Sequence, residues 1–338
     1  MPRSFKVVQY GIGPIGQACT RAILQKKPHL ELVGVIDIDP DKVGKDISEI
    51  LGLDAPTGVI VSADANAVLA STRPEVVVHT TSSFLDRMYN QLVLCASHGA
   101  SVISSTEELS FPFDRHPDIS RELDRAAKEN GVTILGTGVN PGFAMDALAL
   151  MATGVCNEVH SIKIFREVDA GLRRMPLQRK VGAGISTEEF AQRKATGLFG
   201  HIGLIESIKL ITAGLGWTID RIEENLDPVV SDSRIETPFL IVEQGQVAGI
   251  HHHAYAYDGD ELLLTLDLKM FVGAQNPRDE ILIEGDPSIN LEVKGGIFGD
   301  TATVATLVNG IPQTYDAEPG LKTIKDVPLL RAFGTRRV

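Results

Sequence analysis

Glu107 and Glu108 are adjacent acids in the stretch Ser104-Ser105-Thr106-Glu107-Glu108-Leu109-Ser110-Phe111-Pro112. A carboxyl group set beside apolar residues holds its proton more tightly than in water, which suits it to proton transfer near neutral pH. The same pair could instead cap the turn that follows, and position alone leaves both readings open. Farther on, Gly136-Thr137-Gly138-Val139-Asn140-Pro141-Gly142-Phe143 concentrates three glycines and a proline just ahead of a helical stretch. The backbone there must come close to something, either a ligand or another segment of chain. Asn140 is the side chain suited to holding an amide or hydroxyl, with Pro141 and Phe143 as neighbouring substrate candidates. His201, at the start of a helical stretch, is a further substrate candidate, with a structural role as the alternative. His251-His252-His253 invites a metal reading, but successive strand residues point to opposite faces and no Cys, His or Asp at ligand spacing joins them. No metal site is expected. The chain has no H-E-x-x-H, C-x-x-C or G-x-S-x-G, so metal-dependent and acyl-transfer hydrolysis are poor candidates.

A second constellation stands at the other end of the chain. Phe5-Lys6-Val7-Val8-Gln9-Tyr10 runs into Gly11-Ile12-Gly13-Pro14-Ile15-Gly16 and then into a helical stretch, Gln17 to Lys27. This is the dinucleotide-binding arrangement, in which an anion sits on free N–H groups at the start of the helix. Gly11 permits the tight turn, Gly13 removes a Cβ from the path of a pyrophosphate, and Gly16 lets helix and strand pack closely. Pro14 and Ile15 lie inside the loop as further cofactor contacts. A second strand, Leu30 to Ile36, ends at Asp37, about twenty residues past the last glycine as the fingerprint expects. Asp37 would accept from the ribose hydroxyls and repel a 2′-phosphate, favouring NAD over NADP, while Lys42 and Lys45 just beyond would soften that repulsion.

These residues need elements to position them. Near-continuous apolar runs at 58–62, 75–81, 100–105 and 132–136 alternate with helical segments, notably Phe84 to His98 and Asp118 to Asn130. That pattern predicts a parallel sheet covered on both faces, with ligands beyond the carboxyl ends of its strands. Thr80, Thr81, the two glutamates and Thr137 to Asn140 fall at those ends. From Glu158 the pattern changes: a strand at 158–168, helices at Thr187 to Lys194 (with capping spacing at Ser186) and Ile202 to Leu215, then period-two alternation at 262–270 and 289–294. The expected fold is α/β, a Rossmann doubly wound parallel sheet joined to an α+β domain on a mostly antiparallel sheet. The first domain is expected over 1–145 with 300–338 returning to it through a helix at Thr301 to Val308, and the second, for substrate binding and dimerisation, over 146–299.

Composition narrows the partners. A net charge of -12 argues against nucleic acid and anionic membranes. Cys19, Cys95 and Cys156 are odd in number and lie in apolar stretches, so buried free thiols and a reducing, cytoplasmic setting are expected. No signal peptide or membrane-spanning stretch is evident.

The chain resembles the family of 2,4-diaminopentanoate dehydrogenases and native amine dehydrogenases, which share the dihydrodipicolinate-reductase type of nucleotide domain. The likeness rests on Gly11 to Gly16, Glu107 to Pro112, Gly136 to Asp146, Phe199 to Trp217, and Val308-Asn309-Gly310-Ile311-Pro312 with Pro319 to Pro328. It implies reversible oxidative deamination of an amine with NAD or NADP, and a homodimer. It also implies a glutamate of the pair as catalytic acid/base, placed at Glu108 with Glu107 as the alternative, and Asn140 and Asn309 among the cofactor contacts. True dihydrodipicolinate reductases carry a His-His pair followed by lysine and a Pro-Ser-Gly-Thr-Ala loop, whereas here His251-His252-His253 leads into Ala254-Tyr255-Ala256. Another C=N or C=O reductase on this scaffold, 2,4-diaminopentanoate dehydrogenase proper, and a cofactor-binding regulator without turnover are the competing readings. A diamino acid and a simple amine or ketone both stay open as substrate. Arg166, Arg173 and Arg174 could serve a carboxylate, with solvated surface positions as the alternative.

Overall fold

The computed structural model describes residues 3–26 and 29–333, so the expected helix end at Lys27 lies outside the described residues. The chain divides into two compact units, Met1–Phe143 with Phe298–Val338, and Ala144–Ile297. The first runs β1 (Phe5–Tyr10), α1 (Pro14–Gln25), β2 (Leu30–Ile36), α2 (Ile47–Leu51), β3 (Val61–Ser62), α3 (Ala65–Thr72), β4 (Val76–His79), α4 (Leu85–Ser97), β5 (Ser101–Ser104), α5 (Pro117–Glu129) and β6 (Thr133–Gly136). The second contains α6 (Ala147–Thr153), β7 (Glu158–Asp169), α7 (Met175–Lys180), α8 (Thr187–Lys194), α9 (Leu204–Leu215) and β8 (Arg221–Val230). It continues with β9 (Ile235–Glu236), β10 (Ile241–Val242), β11 (Val247–Asp258), β12 (Glu261–Phe271), β13 (Arg278–Asp286) and β14 (Ile289–Lys294). The chain then returns to the first unit as α10 (Gly299–Asn309), α11 (Ile311–Asp316) and β15 (Gly320–Lys322).

The seven strands of the first unit are ordered β3-β2-β1-β4-β5-β6-β15, and every pairing is parallel. All four residues of β4 and of β5 are buried, as strands covered by helices on both faces require. Strand order reverses between β1 and β4, the point where a doubly wound sheet opens its ligand crevice. Tyr10 lies opposite His79, so the Gly11 turn and Thr80 leave the sheet side by side. The strand expected over 58–62 contracts to Val61–Ser62: Gly58 donates to the Asp46 carboxylate, and Val59 to Val61 bond antiparallel to Lys45 to Ile47.

The six-stranded sheet of the second unit is ordered β14-β13-β7-β12-β11-β8, antiparallel except where β7 meets β12. Its covered face gathers Ile162, Ile164, Ile250, Ala254, Ala256, Leu264, Leu266, Ile281 and Ile283, all buried, and α9 packs on β11 and β12 there with Leu204, Ile208 and Ile211. Ser186 caps α8 by accepting from the Glu189 N–H at 3.1 Å. Cys19 and Cys95 are buried, and burial pushes both thiols up to about 12. The third cysteine departs from expectation: Cys156 is half-buried just past the end of α6, where it donates to the Pro287 carbonyl at 3.3 Å. Among the described residues no helix is long and apolar enough to cross a membrane.

Close approach dictates one glycine in particular. A Cβ on Gly16 would lie 1.9 Å from the Gly11 carbonyl oxygen and 2.8 Å from Thr80 Oγ1, whereas one on Gly13 would meet nothing within 4 Å. Gly16→Ala should therefore lower the thermal midpoint by about 6–12 °C, the effect of ~3 kcal/mol of overpacking. Gly13→Ala should leave it within about 2 °C, and a thermal denaturation series with both variants checks the pair.

Candidate active site

The glycine turn is built from three directions. Gly11, at φ +88°, receives the side-chain amide of Gln9 on its carbonyl at 3.0 Å and the Thr80 hydroxyl at 3.0 Å. Thr80 therefore locks the turn. α1 begins at Gly13 and Pro14 without a side-chain cap, which leaves its first N–H groups for an anion. Asp37 closes the far side: its carboxylate accepts from the Ile12 N–H at 2.5 Å and the Asp39 N–H at 2.9 Å, and Lys42 Nζ stands 3.9 Å away while pairing with Asp39 at 2.9 Å. Ile38 beside it is 83% exposed.

The paired acids differ in environment although they are adjacent. Both lie in a short 3₁₀ turn, Glu107–Ser110, that follows β5. Glu108 is buried, and its carboxylate accepts from the Leu85 N–H at 2.8 Å, from Arg115 at 3.0 Å and from His116 Nε2 at 2.9 Å. It thereby caps α4, whose own N-cap residue Phe84 offers no side-chain acceptor. The expected alternative, that both acids cap the turn that follows them, does not hold for Glu108: the helix it caps, α4, precedes it in the chain. Glu107 is half-buried, the one residue of Thr106–Ser110 that is not fully buried.

The loop 136–143 is close-packed against chain. A Cβ on Gly136 would lie 2.5 Å from the backbone of Leu109, and one on Gly142 2.4 Å from the Gly138 N–H, so these glycines admit the glutamate turn and the loop's own return. The Asn140-Pro141 bond is cis. Gly138 neighbours Thr303 near the start of α10, whereas Asn309 stands at the other end of that helix, its successor Gly310 against Ile103. α10 itself packs on α1, the helix that follows the glycine turn.

In the second unit, strand register places Leu226, His252, Leu268, Arg166 and Asp279 in one row across the covered face of the sheet. Arg166 is buried, with one arm of its fork on the Asp279 carboxylate and the other on the Ile297 carbonyl at 2.7 Å. Burial lowers its pKa, the Asp279 charge opposes that, and the nearby Arg173, also buried, adds to it. His201 packs edge-on to His252 at 6.2 Å, and its Nε2 is buried without a hydrogen-bond partner. Burial holds the ring far below its ordinary pKa, reinforced by Lys180, His252 and Arg166. His252 turns Nε2 to Glu224 at 3.0 Å, while His251 and His253 stack on the opposite face with centroids 4.7 Å apart. Among the described residues no group of three or more His, Cys, Asp and Glu could hold a metal ion.

Residues 143–337 match the family model of the 2,4-diaminopentanoate dehydrogenase C-terminal domain, and residues 5–135 that of the dihydrodipicolinate reductase N-terminus. The chain is 36% identical over 345 residues to the 2,4-diaminopentanoate dehydrogenase of Acetoanaerobium sticklandii, covering 97% of this chain and 94% of that one. The chain belongs to the 2,4-diaminopentanoate dehydrogenase family. It is also 26% identical over 361 residues to an amine dehydrogenase of Streptomyces virginiae, with 97% of each chain covered. The solved structure of an amine dehydrogenase from Mycobacterium smegmatis matches at a TM-score of 0.85 and 25% identity, over 97% of both chains. As a member of this family the protein is an oxidoreductase acting on CH–NH2 groups.

Two expectations change with the geometry. Arg166 and Arg173 are not solvated surface arginines but buried ones. A signal for Arg166 existed, since it shares strand parity with Ile162 and Ile164. Arg115 and His116 were overlooked because nothing in their spacing announces that they return to Glu108. Removal of that carboxylate strands its partners, so Glu108→Ala should destabilise the protein by about 3 kcal/mol. Glu107→Ala should change stability by less than about 1 kcal/mol, and denaturant titration of the two variants checks the contrast.

Proposed function

We propose that the protein catalyses the reversible NAD(P)-dependent oxidative deamination of an amine, with Glu107 as proton shuttle. The supporting observation is the pair of environments: Glu108 is buried among Leu85, Arg115 and His116, while Glu107 is the half-buried residue of a turn that is otherwise buried, at the carboxyl end of β5. The resemblance alone implies Glu108 for this role, and the two environments favour Glu107 instead. In the aminating direction, nitrogen adds to the carbonyl carbon and gives up a proton, which Glu107 takes. The carbinolamine then needs a proton on its hydroxyl to lose water, and Glu107 returns it. A bound nicotinamide supplies the hydride for the resulting C=N bond, or accepts it in reverse.

The residues present fit a dinucleotide. The space at Gly13 that a Cβ would fill is open, the α1 start is uncapped, and Asp37 stands ready for a ribose. Asp37 supports NAD as the preferred cofactor, with Lys42 tempering its charge. For the substrate, the buried positive groups Arg166 and Arg173, against the acid Asp279, support an amine that also bears a carboxylate. The open face of the six-stranded sheet, with Phe165, His253, Tyr255 and Leu282 half-buried, supports homodimerisation there.

Glu107→Gln is expected to keep cofactor affinity and lower kcat about 10²–10⁴-fold, whereas an unchanged kcat rejects the shuttle. Asp37→Ser should raise the NADP to NAD ratio of kcat/KM by at least about tenfold, measured by absorbance at saturating amine. A keto acid should be aminated with a kcat/KM about 10–100-fold above its methyl ester, and Arg173→Met should erase that preference.

A further inference from the structure

The ends of β4 and β5 carry a buried polar chain that the chemistry above does not use. His79, the last residue of β4, is fully buried, directly after three valines. Its Nδ1 lies 2.9 Å from Ser104 Oγ at the end of β5, Ser104 Oγ lies 2.9 Å from Thr106 Oγ1, and Thr106 Oγ1 lies 2.9 Å from the Ser82 carbonyl oxygen. A carbonyl oxygen only accepts, so the Thr106 hydroxyl donates to it. The Thr106 oxygen then accepts from the Ser104 hydroxyl. Ser104 Oγ, its own hydrogen spent, accepts from His79 Nδ1–H and from the Thr106 N–H at 3.1 Å. The donor sense is fixed from the ring to the Ser82 carbonyl, and it places a proton on Nδ1. Burial pushes the ring down to about 4, and the hydrogen bond to Gln91 works against that shift. At the other ring nitrogen, Nε2, the Thr81 hydroxyl stands 3.0 Å away and the carbonyl oxygen of the Gln91 side chain, an acceptor, 2.8 Å; the same oxygen accepts from the Thr81 hydroxyl at 3.1 Å.

An apolar residue would fill this place in the sheet without the desolvation that a buried imidazole entails. What the imidazole adds is direction, since a fully satisfied polar network holds its members in one arrangement. The chain of bonds ends on Thr106, the residue immediately before Glu107. Thr106 does not cap its own turn; its N–H is tied back to Ser104 and its hydroxyl to the loop after β4. On the other side of Glu107, Glu108 is anchored to Leu85, Arg115 and His116. We propose that His79 is a positioning residue: through Ser104 and Thr106 it fixes the direction in which Glu107 leaves β5, without itself touching the reacting atoms. This rests on the shuttle reading of Glu107.

The test compares His79→Leu, Thr106→Val and His79→Asn in the full-length protein, with NAD affinity by fluorescence titration, kcat at saturating NAD and amine, and the pH profile of kcat. His79→Leu and Thr106→Val break the chain of bonds at its two ends and should lower kcat about 10–100-fold with NAD affinity unchanged and the pH profile displaced. His79→Asn, which keeps an amide donor near the Nδ1 position, should recover kcat to within about threefold of the parent. A purely structural role would lower the folded fraction and leave the pH profile of the remainder in place, which overturns the proposal. So does a folded Thr106→Val with unchanged kcat and profile, and this variant carries the test should His79→Leu not fold. Loss of turnover in Glu107→Gln alongside an unaffected Thr106→Val rejects the positioning role alone, whereas unaffected Glu107→Gln removes the shuttle and the positioning role together.

Discussion

A buried carboxylate, that of Glu108, fastens together the start of α4, the turn after β5 and the segment leading into α5. Its position follows from electrostatics: an acid removed from water needs donors on its oxygens, and a helix start with no side-chain cap needs an acceptor. The two requirements cancel at Leu85. Arg115 and His116 then supply further donors, so the turn cannot shift without exposing a charge to apolar surroundings. Gly136 completes the arrangement by letting the Leu109 backbone approach β6 as closely as it does. With Glu108 fixed, its neighbour is presented in one direction at the carboxyl edge of the sheet. A pair that reads as two equivalent acids sits in two different environments, one buried and one half-buried.

The sequence carried the first unit well because its signals are local. A strand, G-x-G-x-x-G, a helix and an acid at the next strand end are all within reach of one another along the chain, and four-residue apolar runs announce buried parallel strands. Helix limits such as Thr187–Lys194 were legible for the same reason. What stayed hidden depends on pairing between distant residues. Nothing near Glu108 says that the Leu85 N–H, 23 positions earlier, will come to it. The glycines of 136–143 announced a close approach but not what approaches; for Gly136 it is the Leu109 backbone and for Gly142 the loop itself.

The arginines of the second unit illustrate the opposite error. Charged residues are nearly always solvated, so a surface reading of Arg166 is the sound default. Alternation along β7 overrides it, because residues two apart on a strand share a face and Ile162, Ile164 and Arg166 lie in that series. A guanidinium among aliphatic side chains must have its donors met, and Asp279 and the Ile297 carbonyl meet them. The covered face is therefore not uniformly apolar: a row containing His252, Arg166 and Asp279 crosses it. Such a row gives this unit a polar character that packing alone would not call for.

The first unit is discontinuous along the chain, and this has a consequence for how the protein comes into being on the ribosome. The last strand of its sheet, β15, pairs with β6 through Gly320 and Thr133, and Leu307, Val308, Ile311 and Val327 belong to the same core as β1 and α1. A nascent chain that has emerged only as far as β14 holds a Rossmann half with β6 as a bare edge and part of its core unfilled. Bare edges invite pairing with other chains, so the nascent protein passes through an interval of exposure that ends only when the last 40 or so residues emerge, roughly 2–8 s at ordinary rates of synthesis.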